Sequence, residues 1–127
     1  MLAGYLRELA QHPHVWGERD CILIAADWWR VNHGTDPAEG WRGTYSDEAS
    51  CRARLAEHGG LLRVVRSGMR RVGARRTFEP RLGDVALVRA GHLLVGAIAL
   101  GDGRWIGKSP DGVSRLRTHH VIAWSLG

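Results

Sequence analysis

An α+β domain, with helices from the first half packed on an antiparallel sheet built by the second, is the fold class this sequence predicts. Three observations carry it. Apolar residues recur at helical spacing up to about residue 71. From Pro80 onward they fall in short β-branched and aromatic runs cut by glycine-rich turns. No internal repeat or low-complexity linker divides the 127 residues, so a single domain over 1–127 is expected, large enough to hold a core without a disulfide or a metal.

Tyr5, Leu6 and Leu9 share one face of a short first helix that must end before Pro13. Cys21, Ile22, Ile24, Ala25, Trp28 and Trp29 make the second helix apolar around much of its circumference, which marks it as central; Gly34, after Asn32-His33, suits a left-handed cap. Thr35 to Tyr45, with Asp36-Pro37, Gly40 and Gly43, reads as a surface loop. Ser46 is the expected cap of a third helix reaching about His58, with Asp47 and Glu48 in its first turn and Gly59-Gly60 breaking it. A fourth, basic helix runs from Leu61 to about Arg71 and turns Leu61, Leu62, Val64, Val65 and Met69 inward.

Five strands follow: Val85–Val88, Leu93–Leu100, Trp105–Ile106, Val113–Leu116 and Val121–Trp124. Gly101-Asp102-Gly103 is a hairpin signal, because positive φ is cheap for glycine and tolerable for aspartate. The second strand is apolar almost throughout, so it should be central and covered on both faces.

The net charge of +5 and an isoelectric point near 10.2 come largely from arginines between Arg63 and Arg76. Such a patch suits nucleic acid, an anionic polymer or an acidic protein surface. No helix-turn-helix, zinc-finger or RNP-like aromatic pattern accompanies it, which disfavours nucleic acid. Leu93–Leu100, the longest apolar run, is far short of the roughly 18 to 20 residues that span a bilayer, so no membrane anchor is expected. The N-terminus lacks a basic n-region and a long apolar h-region, and Cys21 and Cys51 lie far apart, which points to synthesis in a reducing cytoplasm.

Cys21 ends the run Pro13-His14-Val15-Trp16-Gly17-Glu18-Arg19-Asp20-Cys21 and opens the buried helix. On the first turn of a helix, unpaired N–H groups and the dipole favour a thiolate and lower the thiol pKa. A nucleophilic thiol also needs a base, and His92, at the entrance of the second strand, is the candidate. Outside this context Cys21 reads as a small buried hydrophobe and His92 as a solvent-facing loop residue beside Gly91. Cys21, Cys51, His119 and His120 lack metal-ligand spacing, so neither metal nor cofactor is expected. The six tryptophans read as core and rim packing, Gly101-Asp102-Gly103 as a turn without phosphate chemistry, and Asp27 as non-catalytic.

The ordered series Val15-Trp16-Gly17, Asp20-Cys21, Arg81-Leu82-Gly83-Asp84-Val85 and Val95-Gly96-Ala97-Ile98 resembles the NlpC-type papain-like cysteine peptidases, which cut peptide bonds of bacterial peptidoglycan. It is most similar to compact relatives among phage-tail and gene-transfer-agent proteins, in which a segment like Trp41-Arg42-Gly43-Thr44-Tyr45 follows the cysteine helix and the chain ends near a segment like Ala123-Trp124. The resemblance spans about Pro13 to Trp124. It implies a papain-like NlpC-type fold, Cys21 as nucleophile, Asp20 as the acidic residue before it, and Trp16 and His14 lining the site, His14 standing where a tyrosine is common.

Two departures stand out. The resemblance places the base immediately before Val95-Gly96, where this chain has Leu94; His92 lies two residues earlier, displaced by roughly 6 to 7 Å along a strand. Where a third polar residue would orient the imidazole the chain has Gly107, with Lys108 beside it. Two functions follow. In the first, a phage-tail or gene-transfer-particle hydrolase uses Cys21 and His92 on peptidoglycan stem peptides. In the second, the fold persists as a catalytically silent structural or adaptor protein of a tail tip, with Leu94 or Trp105 filling the groove beside Cys21. Either would be made in a bacterial cytoplasm and incorporated into a phage-like particle, meeting a peptidoglycan peptide or tail-tip proteins, with the basic face against an acidic neighbour.

Overall fold

The computed structural model describes residues 2–109 and 112–127. Four helices lead, α1 (Leu2–Gln11), α2 (Leu23–His33), α3 (Glu48–Glu57) and α4 (Leu61–Arg71). Six strands follow, β1 (Arg75–Arg76), β2 (Val85–Ala90), β3 (Leu93–Gly101), β4 (Arg104–Ser109), β5 (Gly112–Arg117) and β6 (His120–Ser125). They form one antiparallel sheet in the order β1-β6-β2-β3-β4-β5. The α+β class is thus observed, with β3 central and buried from Val95 to Ala99.

Strand periodicity separates two apolar layers. One carries Val85, Leu87, Ile98, Ile106, Ile122 and Trp124 against Leu9, Ile24, Trp28, Trp29 and Met69 of the helices. α2 is held there by more than its apolar face: buried Trp28 donates its Nε1–H to Gly83 O at 2.8 Å. The other layer is built of small residues, Ala86, Ala97, Ala99 and Ala123, together with Val88, Val95 and Trp105. Asp102, at φ 56°, turns the β3–β4 hairpin as its glycine neighbours predict.

Two expectations need correction. The sheet has six strands and not five, because Arg75 and Arg76 pair with Ser125 and Trp124 of β6. A two-residue exposed strand of arginines has no alternation from which to read it. The cap of α3 is Asp47 and not Ser46: Asp47 accepts from Ser50 N–H at 2.7 Å while the Ser50 hydroxyl accepts from Asp47 N–H at 3.2 Å. This reciprocal pair satisfies two N–H groups at once, where a lone serine would satisfy one.

Candidate functional site

The site is organised by a buried carboxylate. Asp20 is completely buried and accepts four hydrogen bonds, from Gly17 N–H at 3.0 Å, Ile22 N–H at 2.9 Å, Leu23 N–H at 2.9 Å and the Tyr45 hydroxyl at 2.7 Å. No cation lies within 4 Å of it among the described residues. All four contacts present N–H or O–H donors to its oxygens, at the N-terminal end of α2.

Short-range geometry brings these donors together. Val15 and Arg19 form a two-way backbone bridge, which folds the Trp16-Gly17-Glu18 turn back on itself. Gly17 takes φ 84°, and any Cβ there would strike the Tyr45 carbonyl, so glycine lets the two loops touch; its own carbonyl accepts from Gly43 N–H at 2.9 Å. The loop carrying Tyr45 is pinned by Arg42, which donates to Asp27 of α2 at 2.6 Å and makes a two-pronged contact to Asp36 at 2.9 and 3.1 Å. Asp27 is therefore structural, and burial raises its pKa although Arg42 opposes the shift.

Cys21 lies in the turn before α2, two residues ahead of the first helical residue. The ladder between β3 and β4 covers only Ile98 to Gly101 on β3; below it, Gly96 N–H donates to the Cys21 carbonyl at 2.9 Å. A Cβ on Gly96 would come within 2.7 Å of the Ile22 carbonyl, so glycine is what allows the turn to sit on the strand.

The thiol does not have the environment expected of a helix N-terminus. Asp20 already accepts from the N–H groups of Ile22 and of Leu23, the first residue of α2, and the thiol is partly buried against the alanine-rich layer. Desolvation pushes its pKa up to about 12, and the Asp20 carboxylate adds to the rise. The expected lowering is reversed chiefly because burial disfavours the thiolate, and secondarily because the Asp20 carboxylate beside it repels a second negative charge.

The remaining predicted residues are distributed unevenly. Trp16 joins the Tyr45, Cys51 and Leu55 cluster, and His14 packs edge-on against it with ring centroids 4.8 Å apart. The buried Nε2 of His14 has no hydrogen-bond partner among the described residues. His14 and Trp16 thus pack on each other and toward the Tyr45 cluster, while Cys21, which follows Asp20 directly, packs on the alanine-rich layer. His92 stands apart, exposed in the Gly91-His92 turn between β2 and β3, and no hydrogen bond joins it to the Cys21 thiol among the described residues. Four residues separate it from Gly96, where Cys21 is attached, or about 13 Å of extended strand. Leu94, partly buried, occupies the intervening position on the same side of β3 as Gly96.

Lys108, next to the position where the resemblance would put an orienting group, is turned elsewhere. Its ammonium is buried and donates to the His12 carbonyl at 2.7 Å and the Leu9 carbonyl at 3.5 Å, closing the C-terminal end of α1; burial lowers its pKa. Tyr45, Gly96 and Cys51 were not predicted as site residues. Cys51 is buried beside Tyr45, and its pKa is raised by desolvation. No group of three side chains able to hold a metal ion occurs among the described residues.

A family model described as a domain of unknown function, DUF6950, matches residues 1–126. The chain belongs to this family. Neither a curated protein nor a solved structure matches it. No helix among the described residues is long and apolar enough to cross a membrane.

Proposed function

We propose that this DUF6950 chain is an NlpC-type papain-like domain that has lost the hydrolase chemistry and serves as a structural or adaptor component, in the setting the resemblance implies, a phage tail tip or gene-transfer particle. The state of Cys21 carries the proposal. A nucleophilic thiol at neutral pH requires a lowered pKa and a base within reach. Cys21 has its pKa raised to about 12 by burial and by the Asp20 carboxylate, and Leu94 stands where the resemblance calls for histidine. The polar groups beside it are spent on structure: Asp20 accepts from Leu23 N–H at the start of α2, and Tyr45 donates to Asp20.

The competing function, hydrolysis of peptidoglycan stem peptides by Cys21 with His92 as base, draws support from the order of the motifs and from the unpartnered Nε2 of His14 near the same turn. The two are separated by incubating purified peptidoglycan sacculi with the wild-type chain and with Cys21→Ala and measuring released peptides by chromatography. Loss of catalysis predicts no release above the buffer control for either protein. Release by the wild type that Cys21→Ala abolishes would overturn it.

A further inference from the structure

α4 has three kinds of surface. Val64, Val65 and Met69 pack inward, and Gly68 sits so close to the Pro37 carbonyl that no Cβ fits between them. Arg71, on a second side, is used within the chain, donating to Glu39 and to the Asp36 and Pro37 carbonyls. The third side carries Arg63, Arg66 and Arg70, all exposed, which with Leu62, Ser67 and Gly59 line a groove of 590 Å³. None of these three arginines has a carboxylate within 4 Å among the described residues.

Like charges at i, i+3 and i+4 on a helix repel one another. Three guanidiniums on one stripe, none of them paired with a carboxylate of the described residues, therefore form a site whose repulsion is relieved by an external anion. Lys108 is the chain's single lysine and is buried, so every exposed cation is a planar fork suited to two-pronged carboxylate contacts. Along the helix axis the three arginines are spaced by about 4.5 and 6 Å, the rise between carboxylates at i, i+3 or i+4, and i+7 of a partner helix. Leu62, partly buried at the groove edge, adds an apolar contact that a phosphate backbone would leave unused, and no aromatic ring lines the groove to stack a base.

We infer that this stripe of α4 is a docking surface for an acidic helical segment of a partner protein, whose carboxylates meet Arg63, Arg66 and Arg70 and whose apolar side chain meets Leu62. The inference rests on the adaptor function proposed above and names the chemistry of the partner. Its test leaves Cys21 untouched, so a thiol found active would not rescue it and an empty groove would not revive the hydrolase.

The test is fluorescence anisotropy with a labelled helical peptide bearing glutamates at i, i+4 and i+7 and one leucine, titrated with the full chain at roughly 50 mM salt, where a Debye length exceeds 10 Å. A single-stranded oligonucleotide of equal charge is the second probe. The expected result is saturable peptide binding that weakens as salt is raised, falls about tenfold in the triple variant Arg63→Gln, Arg66→Gln, Arg70→Gln, and exceeds binding of the oligonucleotide. Thermal unfolding of the variant should match or exceed that of the wild type, since repulsion is removed. No saturable peptide binding, binding unchanged in the triple variant, or tighter binding of the oligonucleotide would each overturn the inference.

Discussion

Replacing Asp20 tests whether this carboxylate organises the turn that carries Cys21. Asp20→Ala removes the acceptor for four donors at once, three backbone N–H groups and the Tyr45 hydroxyl, in a position with no exposure to solvent. Loss of the helix cap costs about 0.5–2 kcal/mol. Each of the other two donors, Gly17 N–H and Tyr45 O–H, left buried without a partner costs about 1–3 kcal/mol. Relief from burying a charge, and water entering the space vacated, offset part of this, so the expected loss is roughly 3–5 kcal/mol, a large share of a typical domain stability of about 5–15 kcal/mol. Asp20→Asn keeps the oxygen that receives Ile22 and Leu23 but turns an NH₂ toward the Gly17 N–H, and should cost about 1–3 kcal/mol. The assay is urea unfolding followed by tryptophan fluorescence and circular dichroism, with the slope compared to confirm that only the midpoint moves. An Asp20→Ala variant within about 0.5 kcal/mol of the wild type would refute the assignment.

Three further outcomes follow from the same structure. Gly96→Ala should destabilise by about 1–3 kcal/mol in urea, because its methyl meets the backbone carbonyl of Ile22 and not a side chain able to move away. Arg42→Ala strands the Asp27 and Asp36 carboxylates, half-buried on α2 and its following loop, and should cost roughly 2–3 kcal/mol, below the range for fully buried pairs; Arg42→Lys should recover only part of it, since an ammonium cannot reproduce the fork. Stability should fall as pH rises above about 9, because Cys21, Tyr5 and Tyr45 all have raised pKa values, so the folded state keeps protons that the unfolded state releases. Comparing urea midpoints at pH 8 and pH 10.5, Cys21→Ala should lose less than the wild type, by at most about 1.4 kcal/mol per pH unit.

Elements with strong local signals were legible in the sequence. α4 falls on Leu61–Arg71 as its apolar face and the Gly59-Gly60 break predict, and α2 ends at Gly34, which takes φ 76°. β1 was not legible, because its pairing with β6 is set by tertiary contact and not by pattern. The site divides along the same line. His14, Trp16 and Asp20 lie close to Cys21 in sequence, where the Val15–Arg19 turn and the hydrogen bonds of Asp20 decide the local geometry. The sign of the Cys21 shift was hidden because it depends first on how deeply the turn is buried against the sheet, and then on the Asp20 carboxylate beside it. Tyr45 carried no spacing signal: its role depends on the loop being folded back by Arg42 and on Gly17 letting it approach.

The central claim, that Cys21 is not a poised nucleophile, is tested most directly by the pH dependence of its alkylation with iodoacetamide, in a Cys51→Ala background with and without His92→Ala. A thiol with pKa about 12 holds roughly three thousandfold less thiolate at neutral pH than a free cysteine near 8.5. The account predicts slow reaction with no inflection below about pH 10 and no response to His92→Ala. An inflection below about pH 8 that His92→Ala shifts upward would contradict it and establish a working Cys21–His92 pair.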